Sequence, residues 1–273
     1  MVSGGVLVAC ALSLLLVSCG GGSDDYEAPV AESGGGEVAV TTEGFIMVSG
    51  GTVTGGDKFS NNSWSSAFVN GRNVTIAAFY ICDHEVTQAE YEQYCTYGIW
   101  QPDSFYGAGD NYPAYYVSWY DALVYCNKRS MAEGLNPCYT INGSTNPSAW
   151  GNVPTVGDST WDAVTCNFSA NGYRLPTEVE WEYAALGGAA GCAVANPTVY
   201  AGTDDIASLG SYAWYEDNSD TKIHEVKKKN PNGLDLYDMS GNVWELCWDW
   251  NTNTLNASTP VSGPSVSSGS GRV

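Results

Sequence analysis

Basic residues are scarce in this sequence. Lys and Arg together number 10, against 30 Asp and Glu, which leaves a net charge of −20 over 273 residues. A surface this acidic repels phosphate groups, so we expect no nucleic-acid partner. Histidine is scarcer still, because His84 and His224 are the only two. A metal site built from three histidines is therefore excluded.

Long hydrophobic runs are also missing. The apolar stretch 6–17 has the length of a signal-peptide core and is too short to cross a bilayer as a helix. Residues 16–19, L-V-S-C, resemble a bacterial lipobox, in which Cys19 becomes the lipidated first residue of the mature protein. The alternative is a simple secretory signal cleaved nearby. No Lys or Arg precedes the apolar stretch, although signal peptides normally carry one there.

The composition divides the chain into three regions. Residues 1–19 are predicted to be the lipoprotein signal and lipobox, 20–44 a flexible Gly/Ser/acidic tether, and 45–273 one domain. A tether of this kind reaches roughly 25–30 Å. Membrane lipid, attached through Cys19, is then the first expected partner. We expect the protein in the cell envelope, lipid-anchored and facing the periplasm or the cell exterior.

No C-x-x-C pair occurs, so nothing indicates a zinc ribbon or a thioredoxin-type site. Seven cysteines remain after Cys10 and Cys19, and export permits disulfides. Because seven is odd, at least one cysteine is free or has its partner outside this chain. Cys138 and Cys166 bracket the long polar stretch 136–171, and a loop of that length normally needs a local staple or a function. We predict a disulfide between them.

Three helix starts are visible as capping boxes, in which a Ser or Thr is followed three residues later by an acidic residue. They predict helices over about 88–97, 119–133 and 178–186, the last ended by a Gly pair. Strands are predicted at 45–48 and 74–81, with a hairpin between 139–141 and 163–168. We also expect Arg174 to pair with one of the acidic residues of the third helix.

The stretch 232–250 is the most distinctive part of the chain. Alternation of apolar residues predicts short strands at 234–239 and 243–250, joined by the turn 240–242. Asp238 and Glu245 stand on opposite arms of this turn, where they could close around a hard cation such as Ca²⁺. The alternative is a capped turn in which both carboxylates accept backbone N–H groups.

Three motifs carry a resemblance to a known family. Residues 233–250, G-L-D-L-Y-D-M-S-G-N-V-W-E-L-C-W-D-W, resemble the signature of the formylglycine-generating enzymes, the sulfatase-modifying factor domain. Residues 83–91, D-H-E-V-T-Q-A-E-Y, and 172–185, G-Y-R-L-P-T-E-V-E-W-E-Y-A-A, match the same family in the same order. The resemblance implies a C-type-lectin-like α+β fold with few short helices, short antiparallel strands and much irregular structure. It also implies a structural Ca²⁺ held by the side chains of Asp238 and Glu245 and the carbonyls of Gly241 and Val243.

The same resemblance implies an activity that this chain does not carry in full. The family oxidises a sulfatase cysteine to formylglycine with O₂ and Cu(I) held by two cysteines. Those cysteines follow an R-G-G-S-W segment, which in the family comes after a stretch like 270–273, where this sequence stops. None of the seven cysteines matches them, so we expect no catalytic residues here, and copper only if a further C-terminal segment supplies the pair. The sequence is then a fragment or a truncated relative.

Two functional classes follow from this resemblance. The first is a membrane-anchored lipoprotein with a formylglycine-generating-enzyme-like domain that is catalytically incomplete as given. The second is a non-catalytic, lectin-like surface protein that binds a ligand or a protein or peptide partner, such as a variable protein displayed by diversity-generating retroelements. A relative of the non-haem iron sulfoxide synthases is disfavoured, because the chain has only two histidines.

Overall fold

The computed structural model describes residues 10–12, 15–16, 44–59, 67–251, 255–256 and 258. Ten short strands are described in these ranges: β1 (Cys10–Leu12), β2 (Leu15–Leu16), β3 (Phe45–Val48), β4 (Gly51–Thr54), β5 (Asn73–Ile76), β6 (Phe79–Cys82), β7 (Tyr139–Thr140), β8 (Thr165–Cys166), β9 (Tyr173–Arg174) and β10 (Trp244–Leu246). Five α-helices accompany them: α1 (Gln88–Glu92), α2 (Trp119–Ala132), α3 (Ser159–Asp162), α4 (Glu178–Ala185) and α5 (Gly188–Ala193). Three 3₁₀ turns lie at Asp57–Phe59, Pro147–Ala149 and Leu209–Ser211.

The strands form several small sheets. The largest has four antiparallel strands in the order β3-β6-β2-β9. Strands β4 and β5 pair antiparallel, β1 and β10 pair parallel, and β7 and β8 form the hairpin that the sequence predicts. The arrangement is α+β with few short helices and much irregular chain, as expected.

The predicted strand 74–81 is in fact two strands with different partners. Strand β5 pairs with β4, whereas β6 pairs with β3, and Ala77 and Ala78 lie between them. A side chain on Gly50 would sit 2.6 Å from the carbonyl oxygen of Ile76, so the connections between the two pairs touch at this point. The apolar run continues through the break, and for that reason the pattern alone did not reveal it.

All three predicted capping boxes are present. Thr87, Ser118 and Thr177 each accept a backbone N–H from the third residue of the helix, whose carboxylate returns the bond. Helix α1 ends at Glu92, earlier than predicted. The chain turns there, so that the rings of Tyr91 and Tyr97 pack with their centroids 4.8 Å apart.

Two hydrophobic clusters fill the interior. One lies around α2 and is rich in aromatic rings; its centre is Trp248, which packs 5.2 Å from Trp119 and 5.1 Å from Tyr139 between ring centroids. The other lies between strands β4–β6 and helix α4. The predicted ion pair of Arg174 is formed with Glu180, through two N···O contacts of 2.8 Å, and it fixes α4 against β9.

Most of the predicted leader and tether lies outside the described residues, including Cys19 and the span 20–43. Two pieces of the predicted signal are described as strands β1 and β2. Within the described part of the chain, no helix combines the length and the hydrophobicity that crossing a membrane requires.

Candidate functional site: a buried carboxylate turn

The segment before the turn is a loop, and the strand predicted at 234–239 is wrong. Asp235 and Asp238 have φ of +59° and +60°, which an extended strand does not allow. The side-chain oxygen of Asn232 accepts the N–H groups of Leu234 and Leu236 at 2.9 and 3.2 Å. A side chain thus replaces the neighbouring strand as hydrogen-bond partner. After the turn, only Trp244–Leu246 is a strand.

The turn itself is closed tightly by a crossing segment. The N–H of Gly241 donates to the carbonyl of Asp238 at 3.1 Å, and the N–H of Asn242 donates to the carbonyl of Trp214 at 2.8 Å. A Cβ on Gly241 would lie 2.1 Å from that Trp214 oxygen. Only glycine fits this position, because any side chain would push the two segments apart.

Asp238 is buried, and only one of its two carboxylate oxygens has a hydrogen-bond partner among the described residues. Its Oδ2 accepts the backbone N–H of Lys227 at 2.8 Å. Its Oδ1 is inaccessible to solvent and has no hydrogen-bond partner among the described residues. Burial raises the pKa of this carboxyl group. An unsatisfied buried carboxylate oxygen is costly unless a cation or water completes it.

Glu245 lies across the turn and interacts with Asp238 through its charge. Its Oε2 accepts the indole N–H of Trp181 at 2.9 Å. Burial first, and then the charge of Asp238, raise the pKa of Glu245 to about 7, against the opposing effect of the Trp181 bond. The fold therefore brings the two carboxylates that the sequence singled out to one turn. We call residues 238–245 the carboxylate turn.

A third carboxylate, Glu85, belongs to the same site and was missed by the sequence reasoning. It is 1% exposed, and its two oxygens accept the side-chain amide of Asn242 at 2.8 Å and the backbone N–H of Val243 at 3.2 Å. Burial and the charges of Asp238 and Glu245 raise its pKa well above the usual range. Glu85 lies in the 83–91 motif, two residues before the Thr87 capping box, and its place in that motif was the only signal for it.

The unpaired oxygen of Asp238 is the observation that the predicted hard cation would explain. Asp238 Oδ2 accepts a backbone N–H, as the capped-turn alternative requires, whereas Glu245 accepts the side-chain N–H of Trp181. That alternative leaves the second oxygen of Asp238 without a partner, and it leaves the charge of Asp238 raising the pKa of both Glu85 and Glu245. A divalent ion removes both costs, and carboxylate and carbonyl oxygens are the ligands that Ca²⁺ prefers. Asp238, Glu245 and the carbonyls of Gly241 and Val243 are the residues that would hold it.

No bond joins any of the seven cysteines in the described part of the chain to another in this structure. Burial raises the pKa of Cys95 and Cys138 to about 11 and that of Cys192 to about 12. In the β7–β8 hairpin Tyr139 pairs with Cys166, and the N–H of Asn167 donates to the carbonyl of Cys138 at 2.8 Å. The two predicted disulfide partners are thus neighbours across the hairpin, offset by one residue. Their disulfide stays a prediction.

An exposed apolar loop lies apart from the turn. Ile99, Trp100 and Phe105 are 86, 71 and 68% exposed, and we call residues 99–105 the aromatic loop. Its two rings are supported from below: Trp100 contacts Tyr116 at 6.2 Å and Phe105 contacts Tyr106 at 4.9 Å between centroids. Exposed large apolar side chains within one loop are a feature typical of interaction surfaces.

The short strands, few capped helices and buried carboxylate turn define an α+β domain of the formylglycine-generating-enzyme type. The family model of the sulfatase-modifying factor enzyme 1-like domain matches residues 32–272, and the chain belongs to this family.

Relatives in the family carry different names. The chain is 36% identical over 246 residues to the chaperone protein LppX of Paenibacillus barcinonensis, covering 85% of this chain and 79% of that protein. It is 36% identical over 124 residues to the formylglycine-generating enzyme of Streptomyces coelicolor, covering 41% of this chain and 37% of the enzyme. The match thus spans little more than a third of that enzyme's length.

Two solved structures share the fold. Treponema denticola variable protein 1 superposes with a TM-score of 0.69 and 34% identity, covering 84% of this chain and 81% of its own. The structure of CarF superposes with a TM-score of 0.58 and 29% identity, covering 77% of this chain and 82% of its own. The fold predicted from the three motifs is confirmed by these likenesses.

Proposed function

We propose that the protein is an exported, lipid-anchored binding protein whose domain of the sulfatase-modifying factor family presents the aromatic loop to a protein partner. The observation that carries this proposal is the exposure of Ile99, Trp100 and Phe105 within one loop of an acidic domain. The carboxylate turn supports the domain from within, with Ca²⁺ as its structural ion.

The thiol environments favour binding over oxidase chemistry. A copper oxidase of this family needs thiolates, because soft, deprotonated sulfur is what binds Cu(I). Cys126 and Cys247 are buried, and burial raises the pKa of each thiol well above its usual value, as it does for the three cysteines described above. Thiols of this kind are structural, and they give no support to a copper centre in the part of the chain that the structure describes.

The relatives favour a protein partner. LppX is named a chaperone protein, and its match to this chain runs over 246 residues. A loop that exposes one aliphatic and two aromatic side chains is the kind of surface that captures apolar segments of an incompletely folded protein. The lipid on Cys19 and the tether of 20–44 would hold that surface clear of the membrane, where newly exported proteins emerge.

The proposal is tested by an aggregation assay. Light scattering follows a chemically denatured secreted enzyme after dilution, with and without the purified domain. We expect the wild type to suppress aggregation and Trp100→Ser with Phe105→Ser to lose most of that effect. The matched control is Val156→Ser, which removes an equally exposed apolar side chain elsewhere. Equal suppression by the double variant, or none by the wild type, would rule out this surface.

A second assay addresses the oxidase directly. The domain, loaded with Cu(I) in the presence of O₂, is incubated with a sulfatase peptide that contains the target cysteine. Mass spectrometry then reports whether the cysteine has become an aldehyde. We expect no conversion; conversion that is lost on removing copper would replace the binding proposal by an enzymatic one.

Display of a variable ligand-binding surface is the second candidate. The likeness to Treponema denticola variable protein 1, at 34% identity over 84% of this chain, favours it. Sequencing the locus beyond codon 273 in several isolates distinguishes display of a variable surface from binding of a fixed protein partner. A run of codons that differ between isolates supports display, whereas an invariant continuation supports a fixed protein partner.

A further inference from the structure

Three consecutive residues at the end of strand β6 place different metal-binding side chains together. The thiol of Cys82, the carboxylate of Asp83 and the imidazole of His84 each have one ligand atom within 4.8 Å of the other two. The sulfur lies 3.8 Å from His84 Nδ1, and the same Nδ1 contacts Oδ1 of Asp83. His84 therefore contacts both of the other two side chains through one nitrogen.

The surroundings hold these side chains in place. Oε2 of Glu90 lies 3.4 Å from His84 Nε2, and it is itself fixed by the backbone N–H of Thr87 at 2.8 Å. The second oxygen of Asp83 is paired with Lys227 at 2.6 Å, which leaves Oδ1 facing the histidine. A metal-binding histidine normally has such a carboxylate on its other nitrogen, because that bond fixes the ring and its tautomer.

We propose that Cys82, Asp83 and His84 form a binding site for one divalent transition-metal ion of the Zn²⁺ type. Zinc–sulfur and zinc–nitrogen bonds of about 2.3 and 2.0–2.1 Å at a tetrahedral angle put the two ligand atoms about 3.6 Å apart. The observed 3.8 Å between the sulfur and Nδ1 is close to this value, whereas the direct contact between Nδ1 and Asp83 Oδ1 has to open for the ion to enter. Thiolate with imidazole selects Zn²⁺ over Ca²⁺, so this site is chemically distinct from the carboxylate turn.

Binding is a proton exchange. The ion takes the position between Asp83 Oδ1, His84 Nδ1 and the sulfur, and the protons on Nδ1 and on the thiol pass to solvent. Nε2–H remains and donates to Glu90. The side chains of Asp83 and His84 are 13 and 15% exposed, so the cluster opens to solvent on one side and a water molecule can complete the fourth position.

Cobalt titration of the tag-free, reduced protein tests the proposal, because a thiolate bound to Co²⁺ gives a charge-transfer band in the near ultraviolet. We expect one Co²⁺ per chain with this band, displaced by Zn²⁺. Cys82→Ser is expected to abolish the band, and Glu90→Gln to weaken binding about 10–100-fold through loss of the supporting carboxylate. Cys95→Ser, a buried cysteine outside the cluster, is the matched control and should bind as the wild type does.

The absence of a band in the wild type, or its survival in Cys82→Ser, overturns the proposal. A second measurement needs no variant: alkylation of the native protein is mapped by mass spectrometry with and without Zn²⁺. Protection of Cys82 by Zn²⁺ but not by Ca²⁺ supports the site. Equal labelling in both conditions, with Cys82 reactive in each, refutes it.

Discussion

Removing the charge of Glu245 is the sharpest test of the carboxylate turn. Its pKa is raised from 4.5 to about 7 in the folded protein, chiefly by burial and by Asp238. One pKa unit corresponds to about 1.4 kcal/mol, so burying the charged form of Glu245 costs the calcium-free fold about 3 kcal/mol. Because the folded-state pKa is raised, stability is retained below the unfolded value and is lost as the pH rises through about 7.

We therefore expect the chelated wild type to melt at a higher temperature near about pH 5 than near about pH 8, and Ca²⁺ to restore the loss. For a domain of this size about 3 kcal/mol corresponds to a shift of about 6–12 °C. Glu245→Gln should lack both the added pH dependence and the response to Ca²⁺. Glu216→Gln, which removes an exposed charge, should keep both.

Thermal melts followed by circular dichroism, with a chelator and with millimolar Ca²⁺, supply the measurement for all three proteins. A wild type whose melting temperature ignores Ca²⁺ would mean that the turn is capped by N–H groups alone. A Glu245→Gln variant with the same pH dependence as the wild type would mean that the pH-dependent loss of stability comes from Asp238 or Glu85 instead.

Three further predictions concern the domain and its anchor. Glu180→Gln leaves Arg174 buried without its carboxylate, so urea unfolding should report a loss of about 3–5 kcal/mol; a loss below about 1 kcal/mol would contradict the pair's structural role. Peptide mapping without reductant should find Cys138 joined to Cys166, and reduction should cost about 3 kcal/mol; two alkylated thiols would exclude the bond. Mass spectrometry of the membrane fraction should find a lipid on Cys19, whereas an unmodified cysteine in a soluble secreted product would refute the anchor.

Local interactions explain what the sequence predicted well. A capping box joins residues three apart, so Thr177 and Glu180 reveal their bond in the sequence itself, and the structure confirms it. The hairpin between 139–141 and 163–168 could also be predicted from the sequence, because two segments with strand-forming residues flank one long polar loop. Both features depend on neighbours in the chain or on a single loop.

Distant contacts explain what the sequence did not predict. Glu85 enters the carboxylate turn through bonds to residues 157 and 158 positions away, and no spacing rule reaches that far. The alternation at 234–239 suggested a strand, but Asn232 takes the hydrogen bonds that a neighbouring strand would supply. In both cases a side chain from another position decides the outcome, and pattern reasoning sees only the local segment.

Strand β2 has a consequence for maturation. It lies between β6 and β9, and it comes from the segment that processing at Cys19 would remove. Neighbouring strands are about 4.8 Å apart, so its departure leaves two facing edges about 10 Å apart, with backbone N–H and C=O groups of both exposed. Uncovered edges recruit extended chains. If Cys19 is processed as predicted, the gap between β6 and β9 is the place in the sheet where another extended segment would pair.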